Sequence, residues 1–350
     1  MSSGKGGRQR WMIYALGGGA GHLTRVTALA RAAVRQLEQT SETQSALAPE
    51  ICILTNTPFA SMIPVARELG AEYQLIQVDR HFSRDEVAAE VCHVLETQVF
   101  DVLIVDTFPR GLAGELPEIL RGLSCPTVLI HRDLNPKYVA QYGAEAVARN
   151  YDLILVPGES AAFDAMPQAI RTEPWLIRDC DELLPVAEAR DILGVTDQSA
   201  PVVVVVGSGT ESELQEMERL ATELVSEFGS LSHIRFVAPG LGDVAGHRLF
   251  VWPLLELMPG ISILIGSGGY NTVNEARATG THFIGIARER LYDRQERRLS
   301  KLGRLNRAAD VAVRLNALLA DRVESPTRPA YVNGVHQAVQ SILQLVQQTS

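Results

Sequence analysis

Short apolar runs alternate with helix-like stretches through the first half of the chain. The runs lie at residues 12–16, 51–54, 74–78, 102–105, 127–130 and 153–156. After the first run, Val26, Leu29, Ala30, Ala33, Val34 and Leu37 recur at 3.6-residue spacing, which predicts an amphipathic helix. Apolar runs with little alternation are strands covered on both faces. Their rhythm with helices predicts a parallel sheet flanked by helices, a Rossmann-like domain over residues 11–175.

From 171 to 200 the pattern loosens, with Pro174, Pro185 and several acids, and residues 176–200 read as a linker. A second domain then starts abruptly at 201. Five consecutive valines (202–206) fit only a doubly covered strand, and the turn at 207–210 leads into a helix capped by Thr210 or Ser212, with Glu211 and Glu213 in its first turn. Further strands are expected at 234–237, 249–251, 262–265 and 282–286. Val335, Ala338, Val339, Ile342, Leu345 and Val346 mark a closing amphipathic helix within 329–350. The two halves begin alike about 190 residues apart, so the expected architecture is α/β, two Rossmann-like domains (11–175 and 201–328) facing an interdomain cleft.

Composition narrows the class. At 350 residues and 46% hydrophobic, the chain can bury two cores. A net charge of −9 argues against nucleic acid as a partner. No run reaches the roughly 18 apolar residues of a membrane span, and no secretory signal is apparent, so the cytoplasm is expected, with at most peripheral contact at the inner membrane face. Residues 1–10 read as a flexible tail, and their SGKGG lacks the rest of a phosphate-binding P-loop. Cys52, Cys92, Cys125 and Cys180 have no CxxC spacing and read as reduced thiols, two of them in or beside strands.

The candidate chemistry sits at the glycine turns. The run 263–265 stops at Gly266-Ser267-Gly268-Gly269, and a helix-like segment follows from Asn271. Strand, glycine turn and helix N-terminus make an anion seat, because glycines allow backbone N–H groups to face a ligand and the helix adds partial positive charge. Glu275, one turn further, is either a solvated helix residue or a carboxylate that accepts ribose hydroxyls. Some 20 residues on, a polar loop carries Arg288, Arg290, Asp293, Arg294, Gln295, Arg297 and Arg298.

GSGGYNTVNEARATG (266–280) followed by DRQERR (293–298) resembles the donor-site signature of GT-B glycosyltransferases, particularly family 28, the type that includes the UDP-N-acetylglucosamine transferase of lipid II synthesis. The resemblance implies that Glu275 holds a ribose, that Thr272 and the loop amides hold a diphosphate, and that Gln295 meets sugar hydroxyls. Gly207, Ser208, Gly266, Ser267, Gly268, Gly269, Asn271 and Arg294 complete the expected donor contacts. Where the family often has Asn, three residues past the Gln, this chain has Arg298.

The first glycine turn, GGGAGH (17–22), is not the dinucleotide fingerprint, since position 22 is His, and the following strand, ending in LTN, lacks the acidic ribose ligand. It resembles the GGTGGH segment of the same family. His22, at a helix N-terminus where the dipole disfavours the imidazolium, is a candidate general base or else a helix cap. Asp106, at a strand end, either orients His22 or is itself the base. Gly19, Gly21, Arg25 in the first turn, and His131-Arg132-Asp133 after the strand at 127–130 are candidate acceptor contacts, with structural ion pairing the alternative for Arg132. Asp179-Cys180-Asp181 spells a metal motif of another glycosyltransferase fold, but lies in the expected linker, and no metal or other cofactor is expected. The apolar stretch 58–64 either faces a lipid-linked acceptor or packs against the sheet.

These readings point to a metal-independent transferase moving a sugar from a nucleoside-diphosphate sugar, a UDP-sugar in the first instance, to a lipid-linked or small-molecule hydroxyl acceptor. Two alternatives stand beside it. One is a nucleotide-sugar hydrolase of the same fold, since such enzymes also carry the G-x-G-H-x-x-R pattern of residues 19–25, and the other is a non-catalytic nucleotide-sugar binding protein.

Overall fold

A computed structural model describes residues 8–40, 48–70, 73–239, 246–300, 304–305, 308–321 and 330–349. The expected tail therefore lies outside the described residues up to position 7, as does the expected boundary at 328/329, and the side chain of Leu37 is not described. The chain forms two compact units. One contains His22–Ile177, the strand before it and Asn333–Ser350, and the other contains Arg178–Val332.

The first unit is a seven-stranded parallel sheet: β1 (Arg10–Ala15), β2 (Glu50–Thr55), β3 (Tyr73–Gln77), β4 (Val102–Asp106), β5 (Thr127–Ile130), β6 (Leu153–Pro157) and β7 (Ala169–Thr172), in the order β3-β2-β1-β4-β5-β6-β7. Helices α1 (Ala20–Thr40), α2 (Val65–Leu69), α3 (Arg84–Thr97), α4 (Leu116–Gly122), α5 (Pro136–Gln141) and α6 (Ala144–Ala148) connect the strands. Every residue of the central strands β4, β5 and β6 is buried, which is why each reads as a continuous apolar run. In the 58–64 stretch Phe59, Ala60 and Ile63 are buried and Met62 is exposed, so burial accounts for most of it.

The second unit begins before its sheet. Residues 176–200, expected as a linker, instead hold the capped turn Cys180–Glu182 and α7 (Val186–Ile192). Arg178 donates to Glu256 at 2.6 Å, and Ala189 packs so closely on Gly260 that a Cβ there would lie 2.9 Å away. The Asp179 carboxylate caps that turn. The sheet follows with β8 (Val202–Val206), β9 (His233–Val237), β10 (Arg248–Leu249), β11 (Ile263–Ser267), β12 (His282–Ile286) and β13 (Arg304–Leu305), parallel, in the order β10-β9-β8-β11-β12-β13. Its helices are α8 (Glu211–Phe228), α9 (Tyr270–Thr279), α10 (Gln295–Leu299) and α11 (Ala308–Ala320). Thr210 caps α8 through a capping box with Glu213, which satisfies two otherwise orphaned N–H groups.

The chain then returns to the first unit. Helix α12 (Val335–Thr349) buries Val335, Ala338, Val339, Ile342 and Val346, and packs on β6 and β7. Asn333 anchors the return by exchanging hydrogen bonds with both backbone groups of Leu176, at 3.0 and 2.8 Å. Among the described residues no helix is long and apolar enough to cross a membrane.

In each sheet the winding direction reverses once, between β1 and β4 in the first unit and between β8 and β11 in the second. Open α/β sheets bind ligands beyond the carboxyl ends of the strands at this switch point. Both glycine turns, after β1 and after β11, stand there.

Candidate functional site

In the first unit, β4 delivers Asp106 to its carboxyl end with 0% exposure. Its Oδ2 receives His22 Nδ1 at 2.6 Å, and the Arg25 guanidinium straddles it, Nε to Oδ1 at 2.9 Å and Nη2 to Oδ2 at 2.6 Å. Burial alone would raise the Asp106 carboxyl, but the charge of Arg25 and the hydrogen bonds from His22 and Arg25 outweigh it and hold the group well below the usual carboxylate range. An ionised carboxylate only accepts, so His22 carries its proton on Nδ1 and leaves the Nε2 lone pair open. Desolvation, helped by Arg25 and Arg132 and opposed by Asp106, lowers the His22 pKa, which keeps the ring neutral and basic near neutral pH.

The surroundings fix this ring. Phe108 stacks on it with centroids 5.8 Å apart. Gly17 lies so close beneath it that any Cβ would collide with the imidazole, and Asn56 at the end of β2 accepts the Gly17 N–H at 2.7 Å. Thr107 adopts a left-handed backbone (φ 72°) and its hydroxyl receives Arg25 at 3.0 Å. Neither Asn56 nor Thr107 is legible as a site residue from sequence. Each acts through a partner distant in the chain.

The expected acceptor contacts are redistributed. Helix α1 starts at Ala20, which puts Arg25 in its second turn, and Arg25 is 2% exposed and committed to Asp106, a role different from the expected acceptor contact. His131 is fully buried: its ring stacks on Phe163 at 4.1 Å, Nε2 accepts the Phe163 N–H at 3.1 Å, and burial drives its pKa down to about 3. It is a neutral core histidine. Arg132 stands 3.6 Å from Glu159, the ion pairing weighed for it, and the Asp133 N–H donates to the same carboxylate at 3.3 Å. A Cβ on Gly19 would touch nothing, and Gly21 is exposed.

In the second unit the turns after β8 and β11 meet at the switch point, with Ser208 Oγ and Ser267 Oγ 3.2 Å apart. Gly207 is forced by close packing, since a Cβ would lie 2.8 Å from Ala238 and Phe236. Gly268 is forced by α10, whose Leu299 would lie 2.8 Å away and whose Gln295 Cβ 3.0 Å. At Gly266 a Cβ would press on Thr272 Cγ2 at 3.3 Å. Gly269 is the N-cap of α9 and, having no side chain, makes no cap hydrogen bond of its own; Asn271 and Thr272 in the first turn are half-buried, where the positive end of the dipole favours an anion.

Glu275, on the next turn of α9, is half-buried, and desolvation raises its carboxyl to about 7. No hydrogen bond or ion pair satisfies it among the described residues. Gln295 is buried, with Oε1 accepting the Arg288 N–H at 3.2 Å, and Arg294 stands at the N-cap of α10. Two arginines of the polar loop are bound to α8. Arg290 forks onto Glu213 at 2.5 and 2.9 Å, and Arg288 reaches Glu216 at 2.7 Å. Arg298 is also buried, donating to the Gly268 carbonyl and to Asp293.

This pair of switch-point sites can be set against known structures. The calicheamicin glycosyltransferase CalG4 superposes with a TM-score of 0.58 at 15% identity, over 98% of this chain and 100% of that one. The fold is GT-B. The glycosyltransferase SnogD from Streptomyces nogalater gives 0.56 at 15% identity, over 98% and 96% of the two chains. UDP-GlcNAc 2-epimerase from Neisseria meningitidis, bound to UDP-GlcNAc, gives 0.59 at 13% identity, over 97% and 100%. No family model matches the chain. No curated protein matches it in sequence.

Proposed function

We propose that the protein is a glycosyltransferase of the family 28 type that moves a sugar from a UDP-sugar to a hydroxyl acceptor without a metal ion. The observation that carries this reading is the glycine N-cap of α9 followed one turn later by the Glu275 carboxylate, which has no hydrogen bond or ion pair among the described residues, an anion seat and a diol acceptor at one sheet edge. In the proposed role Glu275 accepts the ribose hydroxyls, Ser208, Ser267, Thr272 and the 266–269 loop take the diphosphate, and Gln295 with Arg294 meets the sugar. His22 removes the acceptor proton through Nε2, and Asp106 holds its tautomer and supports the imidazolium that forms, with Arg25 fixing Asp106. The acceptor oxygen attacks the anomeric carbon as its bond to the diphosphate breaks, and the charge that develops on the departing nucleotide falls on the loop N–H groups and the α9 N-terminus. The cytoplasm is the proposed location, with a small-molecule or lipid-linked acceptor.

A UDP-sugar hydrolase is the second reading, favoured by Gly19-Ala20-Gly21-His22-Leu23-Thr24-Arg25, with water in place of the acceptor. The donor assignment is tested by thermal shift with UDP, GDP and dTDP. UDP should raise the melting temperature most. A larger shift with GDP or dTDP would overturn the choice of base, and no shift with any of the three would overturn the donor site.

A further inference from the structure

Resting on the donor-site reading above, we infer that Arg298 is a positioning residue that aims the Gly269 N–H at the donor's diphosphate. Arg298 sits near the end of α10 with its side chain 3% exposed. Its Nη1 donates to the Gly268 carbonyl at 2.7 Å and to Asp293 Oδ2 at 3.2 Å, and its Nη2 donates to Asp293 Oδ1 at 2.8 Å. One planar guanidinium thus joins the glycine turn after β11 to the polar loop before α10, a task that needs several donors in fixed geometry. The joint is braced from behind, because Arg277 of α9 donates to the Arg298 carbonyl at 3.1 Å.

The consequence follows from peptide geometry. In a planar trans peptide the C=O of one residue and the N–H of the next point in opposite directions. Turning the Gly268 carbonyl onto Arg298 therefore turns the Gly269 N–H away from Arg298. That N–H has no acceptor among the described residues and belongs to the N-cap of uncapped α9. Gly268 cannot carry a side chain, since Leu299 and Gln295 Cβ occupy that space, so α10 sets the turn by contact on one side and by hydrogen bond on the other. Arg298 itself touches no substrate in this role.

A positioning role and a merely structural one differ in which part of the nucleotide feels the change. The test measures binding of uridine and of UDP, by calorimetry or ligand-observed NMR, to the full chain and to Arg298→Met, Arg298→Lys and Asp293→Asn, with melting curves for each. Arg298→Met should weaken UDP at least tenfold and leave uridine within twofold. Arg298→Lys, which cannot span both partners, should weaken UDP at least threefold, again with uridine unchanged, and it carries the test if the Met variant does not fold. Asp293→Asn should weaken UDP less than Arg298→Met does. Equal weakening of UDP and uridine, or UDP binding within twofold of wild type in a folded Arg298→Lys, would overturn the inference. A wild type that binds neither ligand would remove the donor-site reading itself, and this role with it.

Discussion

Replacing His22 with alanine should lower sugar transfer by about 10²- to 10⁴-fold, the range of a general base, while UDP binding and the melting temperature change little. The separation follows from geometry. The His22 side chain is 17% exposed and its loss leaves Asp106 still paired with Arg25, so no buried charge is abandoned. Asp106→Ala is a different case. It strips the buried Arg25 guanidinium of its counter-charge, a change that typically costs about 3–5 kcal/mol, so the melting temperature should fall along with activity. The pH profile carries the same argument. Transfer requires neutral His22, whose pKa is lowered from 6.5, so kcat of the wild type at saturating donor, where the titration of Glu275 no longer limits binding, should fall only on an acidic limb below that value. An unchanged rate in His22→Ala would remove the base assignment.

Glu275→Gln should weaken UDP binding by tenfold or more, because hydrogen bonds to a charged acceptor contribute about 1.5–3 kcal/mol each and the amide keeps the shape while losing the charge. The dependence on pH is more diagnostic. The carboxyl titrates near 7 in the free protein, raised from 4.5 by desolvation, and the ionised form is the one that accepts ribose hydroxyls. UDP affinity of the wild type should therefore climb as pH rises through about 7, relative to the variant, a comparison that cancels the titration of UDP itself. Stability of the free protein runs the other way. A raised carboxyl contributes fully below 4.5 and loses that contribution as pH rises through about 7, a loss that Glu275→Gln should lack. Parallel pH profiles for UDP binding by the two proteins would refute the ribose role.

The sheets were legible because doubly covered strands spell apolar runs, as at 102–105 and 202–206. Strand β7 escaped, being an edge strand with only one of its four residues buried and with Arg171 in the middle. Strand β13 is two residues long, too short for any period to register. The region 176–200 looked like a linker because its packing partner, the turn at Leu254–Gly260, is distant in sequence. Glycine turns marked both candidate sites, since a glycine-rich break between strand and helix has few other causes. The roles within them were harder to read. Arg25 looked like a cation seeking an anion, and its anion is Asp106, 81 residues away. His131 has a strand-end position like that of Asp106, and only the packing of Phe163 over its ring separates a core histidine from a site histidine. Arg298 looked like a departure from a pattern, and its partners are a backbone carbonyl and an aspartate that sequence alone does not bring together.

The most direct test of the central claim is mass spectrometry of purified protein incubated with a UDP-sugar, first alone and then with a pool of hydroxyl acceptors. A transferase should release UDP only with the pool and shift one acceptor by the mass of the sugar. Stoichiometric UDP and free sugar without any acceptor would contradict it and establish the hydrolase, and binding with no turnover in either condition would contradict it in favour of a non-catalytic binding protein.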